Sequence, residues 1–329
     1  MPMLPLPKPP PRERTAEGKL RRVGVELEFA GLSVDRTVEL LQDAFGGKAE
    51  KIDAHRTLLH HEEWGETTVE LDLQYVHDNA GREDDPDGSG TLFGDLELPE
   101  GWRGPLGEAL TGLVPVEIVF PPIPWSRLGD LDDVFSLLRR HGALGTRESA
   151  LYAFGLHLNV EVATGAPEEI LHVLQAYLLR SESLRDAVAV DITRRILPHT
   201  AHFPESYARK ILAADYPADL ETMIDDYLLM NPTRNRELDM LPLFAHLAPD
   251  QVRSRTKDVL IKPRPTYHYR LPNADLGDPS WSAITEWNRW VTVEELAADP
   301  SRLEEAIAGF RAATEASFPG RLRRLFGVE

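Results

Sequence analysis

The sequence predicts an α+β fold, a mostly antiparallel sheet with flanking helices, and three observations carry that expectation. Five short segments alternate apolar and polar residues with period two, as half-buried strands do. Between and after them run stretches whose apolar residues recur every three or four positions, as helices require. The 329 residues are 42% hydrophobic and 27% charged, which is enough apolar material for one large domain or about two.

Taken in order, residues 1–18 carry Pro2, Pro5, Pro7, Pro9, Pro10 and Pro11, which favour extended, solvated backbone. A disordered arm is expected there. A single domain is expected over 19–329, helical from about residue 280. The first strand falls at 23–29. Ser33 caps a helix that runs to Phe45, with Val38, Leu41 and Phe45 on one side and Gly46-Gly47 as its stop. A second strand is expected at 69–75, before an exposed acidic, Gly- and Pro-containing loop at 82–90 and an irregular stretch through 101–105. A third strand follows at 116–120. Leu128, Leu131, Phe135 and Leu138 have helical spacing, and Gly142 follows them. After a fourth strand at 155–162, Pro167-Glu168-Glu169 makes a good first helical turn. Ile170, Val173, Leu174, Tyr177 and Leu178 give that helix its buried stripe. Helices are expected within 206–230, 282–297 and 301–316, and a fifth strand at 266–271. Trp281, Trp287 and Trp290 should pack the C-terminal helices.

Composition excludes several functions. Asp plus Glu number 54 against 36 Lys plus Arg, a formal charge of −18, so nucleic acid and anionic membranes are not expected partners. The absence of cysteine rules out disulfides, thiolate zinc sites, iron–sulfur clusters and cysteine nucleophiles. No apolar run approaches the ~20 residues that span a bilayer, and prolines interrupt the N-terminal stretch where a signal peptide would be apolar. A cytoplasmic location is expected. Neither a G-x-S-x-G elbow nor a G-x-x-x-x-G-K-[ST] loop occurs, which disfavours serine hydrolases and P-loop enzymes.

The polar sides of the strands share one chemistry. Glu26 and Glu28 project together from the first strand, and Glu70, Asp72 and Gln74 from the second. The third presents Glu117, the fourth His157, Asn159 and Glu161, and the fifth Thr266, His268 and Arg270. For any single strand, a wet face of an antiparallel sheet is the plain explanation. Together they form a set poor in lysine and crowded with carboxylates, which repel one another across a sheet. Bound divalent cations are the economical compensation. Oxygen donors with one or two histidines and no thiolate favour Mg²⁺ or Mn²⁺ over structural zinc. Such ions clamp nucleotide phosphates, and an arginine such as Arg270 complements the charge there.

The ordered motifs GVELEF, VEIVFPPIPW, FGLHLNVEV and YHYRLPNAD, spanning 23 to about 275, resemble the amidoligases of the glutamine synthetase-like carboxylate–amine ligase superfamily. In that family an E-x-E strand, a Glu strand ending in Pro-Pro, a G-x-H-x-H strand and an E-x-R strand follow in that order. The resemblance implies a curved sheet like that of the glutamine synthetase catalytic domain, with the active site on its concave face. It also implies ATP-dependent amide formation, in which a carboxylate is activated as an acyl phosphate and an amine displaces phosphate. On the matching positions Glu26, Glu28, Glu117 and His157 would be metal ligands, and Arg270 would contact phosphate. Glu28, Asn159 and Arg270 are the candidate catalytic residues.

Two positions depart from the pattern. Asn159 replaces the second histidine and is a poorer metal ligand, and His268 replaces the glutamate of E-x-R. Glu70 and Asp72 could supply replacement oxygens. Arg234, Arg236 and Arg264 join Arg270 as candidates for nucleotide phosphate, with surface arginines as the alternative for the first two. Lys262 is a weaker candidate. His60 and His61 are adjacent on a strand end or loop and point apart, so they do not chelate one ion. Arg194, Arg195, His199 and His202 lack zinc-site spacing. The expected reaction joins a small-molecule or peptide carboxylate to an amine, using ATP and Mg²⁺ or Mn²⁺. Family analogy adds weak support for self-association. A metal-dependent hydrolase on the same acidic face stays open, as does a non-catalytic binding protein.

Overall fold

The computed structural model describes residues 5–62, 64–72, 114–148, 154–188 and 201–325, with side chains of the last helix as far as 314. The expectations for 73–75, 82–90, 101–105 and Arg194, Arg195 and His199 lie outside the described residues.

A nine-stranded sheet organises the fold, in the order β2-β3-β4-β5-β1-β7-β9-β8, with β6 also paired to β1. Its strands are β1 (Arg22–Phe29), β2 (Lys48–Lys51), β3 (Arg56–His61), β4 (Gly65–Leu71), β5 (Val116–Val119), β6 (Ile123–Pro124), β7 (Leu156–Glu161), β8 (Leu238–Asp239) and β9 (Thr266–Tyr269). The pairings are antiparallel. The helices are α1 (Val34–Phe45), α2 (Leu131–Arg140), α3 (Pro167–Val188), α4 (Glu205–Ile211), α5 (Leu220–Met230), α6 (Leu241–Leu247), α7 (Pro249–Arg255), α8 (Ala283–Ala297) and α9 (Pro300–Leu325). The fold is therefore α+β, as the alternating and helical segments predict. Among the described residues no helix is long and apolar enough to cross a membrane.

Period-two alternation puts Val23, Val25, Leu27 and Phe29 of β1 on one face with Leu156, Leu158 and Val160 of β7 and Tyr267 and Tyr269 of β9, all buried. Tyr269 meets Tyr177 of α3 and Trp290 of α8, so these helices cover the apolar side of the sheet. Burying each such side chain contributes about 1.5–3 kcal/mol. Trp287 stacks on Trp125 and Trp290 packs on Tyr267, in line with the expected tryptophan packing.

The Ser33 hydroxyl accepts from the Arg36 N–H at 3.2 Å, capping α1 as expected. Gly46 ends α1 at φ 79°, a backbone conformation that glycine adopts without steric cost. The helix expected around 128 begins instead as a 3-10 turn over Trp125–Asp130 before α2. The stretch 206–230 splits into α4 and α5, because Asp219 accepts from the Thr222 N–H at 2.8 Å and starts a new helix. The hairpin β2–β3 has no clear alternation to announce it. Its outer strand, Lys-Ala-Glu-Lys, is mostly exposed, and lysines suit such an edge.

The proline-rich segment touches α8. The Lys8 N–H donates to Asn288 Oδ1 at 2.8 Å, and Trp287 Nε1 donates to the Lys8 carbonyl at 2.9 Å. Extended backbone without internal hydrogen bonds leaves these groups open to the side chains of α8. Nearby, Arg21 forms a buried two-point pair with Glu294 at 2.7 and 2.8 Å.

Candidate active site

Register assembles the polar face. Glu28 lies directly opposite Glu117, and Glu117 opposite Glu70, making one row across β1, β5 and β4. Glu26 faces His157 across β1 and β7. Asn159 faces His268, which in turn faces Asp239, across β7, β9 and β8. Directly opposed residues in an antiparallel pair share a face, so five separately alternating strands give one continuous polar surface.

A cavity opens over it, lined on the acidic side by Glu26, Glu28, Glu70, Asp72 and Glu117, with His157 and His268. Arg234, Lys262, Arg264 and Arg270 line it as well, with Val119, Pro242 and Leu260. All the expected metal-ligand residues therefore meet at one cavity, along with three of the four expected phosphate-binding arginines. Two expected site residues are placed otherwise. Asn159 sits behind Glu26, donating Nδ2 to Glu26 Oε1 at 2.7 Å. Gly24 stands beside it, where a Cβ would come within 3.3 Å of the Asn159 Cβ. Arg236 does not line the cavity, because its guanidinium donates to Asn231 Oδ1 at 2.9 Å.

Glu26 is heavily engaged. Besides Asn159, its Oε1 accepts from Arg264 at 3.2 Å, and its Oε2 lies 3.1 Å from His157 Nδ1 and 3.6 Å from His268 Nε2. Burial favours its neutral form, but the hydrogen bond with His157 and the nearness of His268 and Arg264 outweigh it. Its carboxyl is held well below the ordinary range. Glu28 Oε2 accepts the Gly155 N–H at 2.7 Å, and Oε1 lies 3.5 Å from His157 Nε2. Withdrawal from water, reinforced by the charges of Glu26, Asp72, Glu28 and Glu70, pushes Glu117 well above the ordinary carboxylate value. Burial lowers His157 to about 3, despite its bond to Glu26, so its ring is neutral at physiological pH and fit to ligate.

Among the described residues, two sets of donors are close enough to share an ion. Glu26, His157 and His268 form one, and Glu28, Glu117 and His157 the other, with ligand atoms in each within 4.8 Å. Neither set includes Glu70, whose carboxylate lies 3.3 Å from Arg56 Nε, or Asp72.

Sequence reasoning missed Asp239, which is fully buried with its Oδ2 3.6 Å from His268 Nδ1. A two-residue strand has no period to read, so no sequence signal marked it. Lys262 was underweighted because it lies in no strand, yet it lines the cavity.

No curated protein and no solved structure gave a significant match to the chain. The family model described as "Putative amidoligase enzyme" matches residues 19–292, which is most of the chain and takes in every motif strand described above. The chain belongs to this amidoligase family.

Proposed function

We propose that this protein is an ATP-dependent carboxylate–amine ligase that forms an amide through an acyl phosphate, using Mg²⁺ or Mn²⁺. The domain would be glutamine synthetase-like and run over 19–329. The observation that carries this reading is the meeting, in one cavity, of a carboxylate row and four cationic side chains.

The donors suit a divalent cation. They are oxygens with neutral imidazole nitrogen, and Glu117, whose proton affinity is raised by burial and then by its neighbouring carboxylates, is among them. Buried polar atoms without a hydrogen bond, Asn159 Oδ1 and both ring nitrogens of His268, lie in the same place. A bound cation would supply charge neutralisation between phosphate oxygens and the substrate carboxylate. Glu26, Glu28, Glu117 and His157 would hold it, with Glu70 and Asp72 as further oxygens.

Arg270, Arg234, Arg264 and Lys262 would orient the triphosphate and take up charge that develops on it. The substrate carboxylate oxygen attacks the γ-phosphorus, the bond to ADP breaks, and an acyl phosphate results. The amine nitrogen then attacks the acyl carbon, inorganic phosphate leaves, and the amine proton passes to a cavity carboxylate or water. Holding the reactants in line is the main work of such a site. Asn159 would act by fixing Glu26, and Glu28 is itself fixed by the Gly155 N–H.

The test is product analysis with paired carboxylates and amines. The proposal expects ADP formation that needs both, and transfer of ¹⁸O from a labelled carboxylate into the released phosphate. Arg270→Ala should lower kcat by about 100-fold. Unlabelled phosphate would remove the acyl phosphate from the mechanism. A hydrolase that activates water on the same carboxylates would turn over without ATP and keep its activity in Arg270→Ala. A non-catalytic binding protein would form no ADP with any pair.

A further inference from the structure

Resting on the reading that this cavity binds divalent cations, we infer that its two donor sets are chemically unlike. The Glu26–His157–His268 corner is a nitrogen-rich site for a first-row transition ion, Mn²⁺ through Zn²⁺, that Mg²⁺ does not displace. Asp239 is its positioning residue.

Neutral imidazole has one lone pair and one N–H. His157 Nδ1 and His268 Nε2 both face Glu26 Oε2, at 3.1 and 3.6 Å. Behind each ring stands another carboxylate. His157 Nε2 lies 3.5 Å from Glu28 Oε1, and His268 Nδ1 lies 3.6 Å from Asp239 Oδ2. Each histidine thus has one nitrogen aimed at a common point and the other at an anion, the arrangement that fixes tautomer and ring angle in metal-bound histidines. His268 is buried, yet neither of its ring nitrogens makes a hydrogen bond. An ion beside Glu26 would satisfy Nε2 and leave Nδ1–H for Asp239.

Asp239 is prepared for this work. Its Oδ1 accepts the Leu241 N–H at 3.0 Å, which orients the carboxylate, and its Oδ2 faces His268 without a hydrogen bond. Arg234 Nε stands 4.0 Å from that oxygen and balances its charge. Two imidazoles and one carboxylate are the donors of Mn²⁺, Fe²⁺ and Zn²⁺ sites, whereas Mg²⁺ demands oxygen. In the second set Glu28 and Glu117 offer oxygen, which suits the hard ion, and only His157 is shared with the first. Because His157 has one lone pair, a transition ion at the Glu26 corner leaves the row as an all-oxygen site.

The test loads EDTA-treated full-length protein with Mn²⁺ alone and then adds a large excess of Mg²⁺, followed by pulsed electron paramagnetic resonance. Expected is a Mg²⁺-resistant Mn²⁺ signal modulated by directly bound ¹⁴N. Asp239→Asn should weaken that Mn²⁺ by about 10–100-fold, with Asp239→Glu restoring part of it. His268→Glu should make the Mn²⁺ exchangeable by Mg²⁺, while an unchanged melting temperature in EDTA shows that the variant is folded. Wild-type Mn²⁺ without ¹⁴N modulation, or fully displaced by Mg²⁺, overturns the inference. If that happens while Mg²⁺ with nucleotide still stabilises the protein through Glu28, the ligase proposal survives and only the division of cations falls. Binding of neither ion removes both.

Discussion

Glu117 sits among Glu26, Glu28, Glu70 and Asp72, and the direction of its proton affinity makes a prediction about the cation-free protein. A carboxyl raised in the folded state contributes stability below its ordinary value and loses it as pH rises through the raised one. Glu117→Gln should therefore be more stable than wild type in EDTA at about pH 8, by about 1 kcal/mol, and indistinguishable from it at about pH 4. Urea unfolding at both pH values measures this, and equal stability at the higher pH would refute it. Opposite Glu117 in effect is Arg264, which lies 3.2 Å from Glu26 and supplies positive charge to the cluster. It is about a third exposed, so Arg264→Met should cost no more than about 1 kcal/mol in EDTA. Adding Mn²⁺ should close that gap, because the ion takes over the arginine's part; a gap that persists would mean that the two do not share Glu26.

At the scale of elements, strands announced themselves and their neighbours did not. Val23 to Phe29 alternate cleanly, because one face of β1 lies in the apolar core while Glu26 and Glu28 on the other line the cavity. Glu26 and Glu28 were legible for that reason, as were Glu117, His157 and His268. What alternation omits is register, so it said nothing of which carboxylates stand opposite one another. Asp239 shows the limit, since it joins the site through pairing with His268. Arg236 shows another, because whether a loop arginine turns into the cavity depends on a local acceptor, here Asn231. The contacts of Leu6 and Lys8 are equally illegible, because they are made with Trp287 and Asn288, more than 270 residues away in sequence. Two element-scale expectations follow. Ser33→Ala should destabilise α1 by about 1 kcal/mol in thermal unfolding. Arg185→Met should cost far more, about 3–5 kcal/mol, because it leaves the buried Glu237 between α3 and β8 without its guanidinium, held only by the Ser181 hydroxyl among the described side chains. A cost below 1 kcal/mol would mean that water reaches Glu237.

For the molecule as a whole, the site exists only when distant segments meet. Glu26 and Arg264 touch across 238 residues of sequence, and carboxylates come from one half of the sheet while most cationic side chains come from the loops beside β8 and β9. That separation gives the cavity a polarity suited to a cation on one side and phosphate on the other. It also makes ligand binding a contribution to the folded state as such, since the unfolded chain holds no such cluster. The most direct measurement is the thermal unfolding of EDTA-treated wild type and Glu28→Ala, each with and without Mg²⁺ and ATP. At 100 times the dissociation constant, binding should stabilise the wild type by about 2.7 kcal/mol and the variant by almost nothing. Equal stabilisation of the two would place the cation elsewhere and contradict the assignment of this carboxylate face.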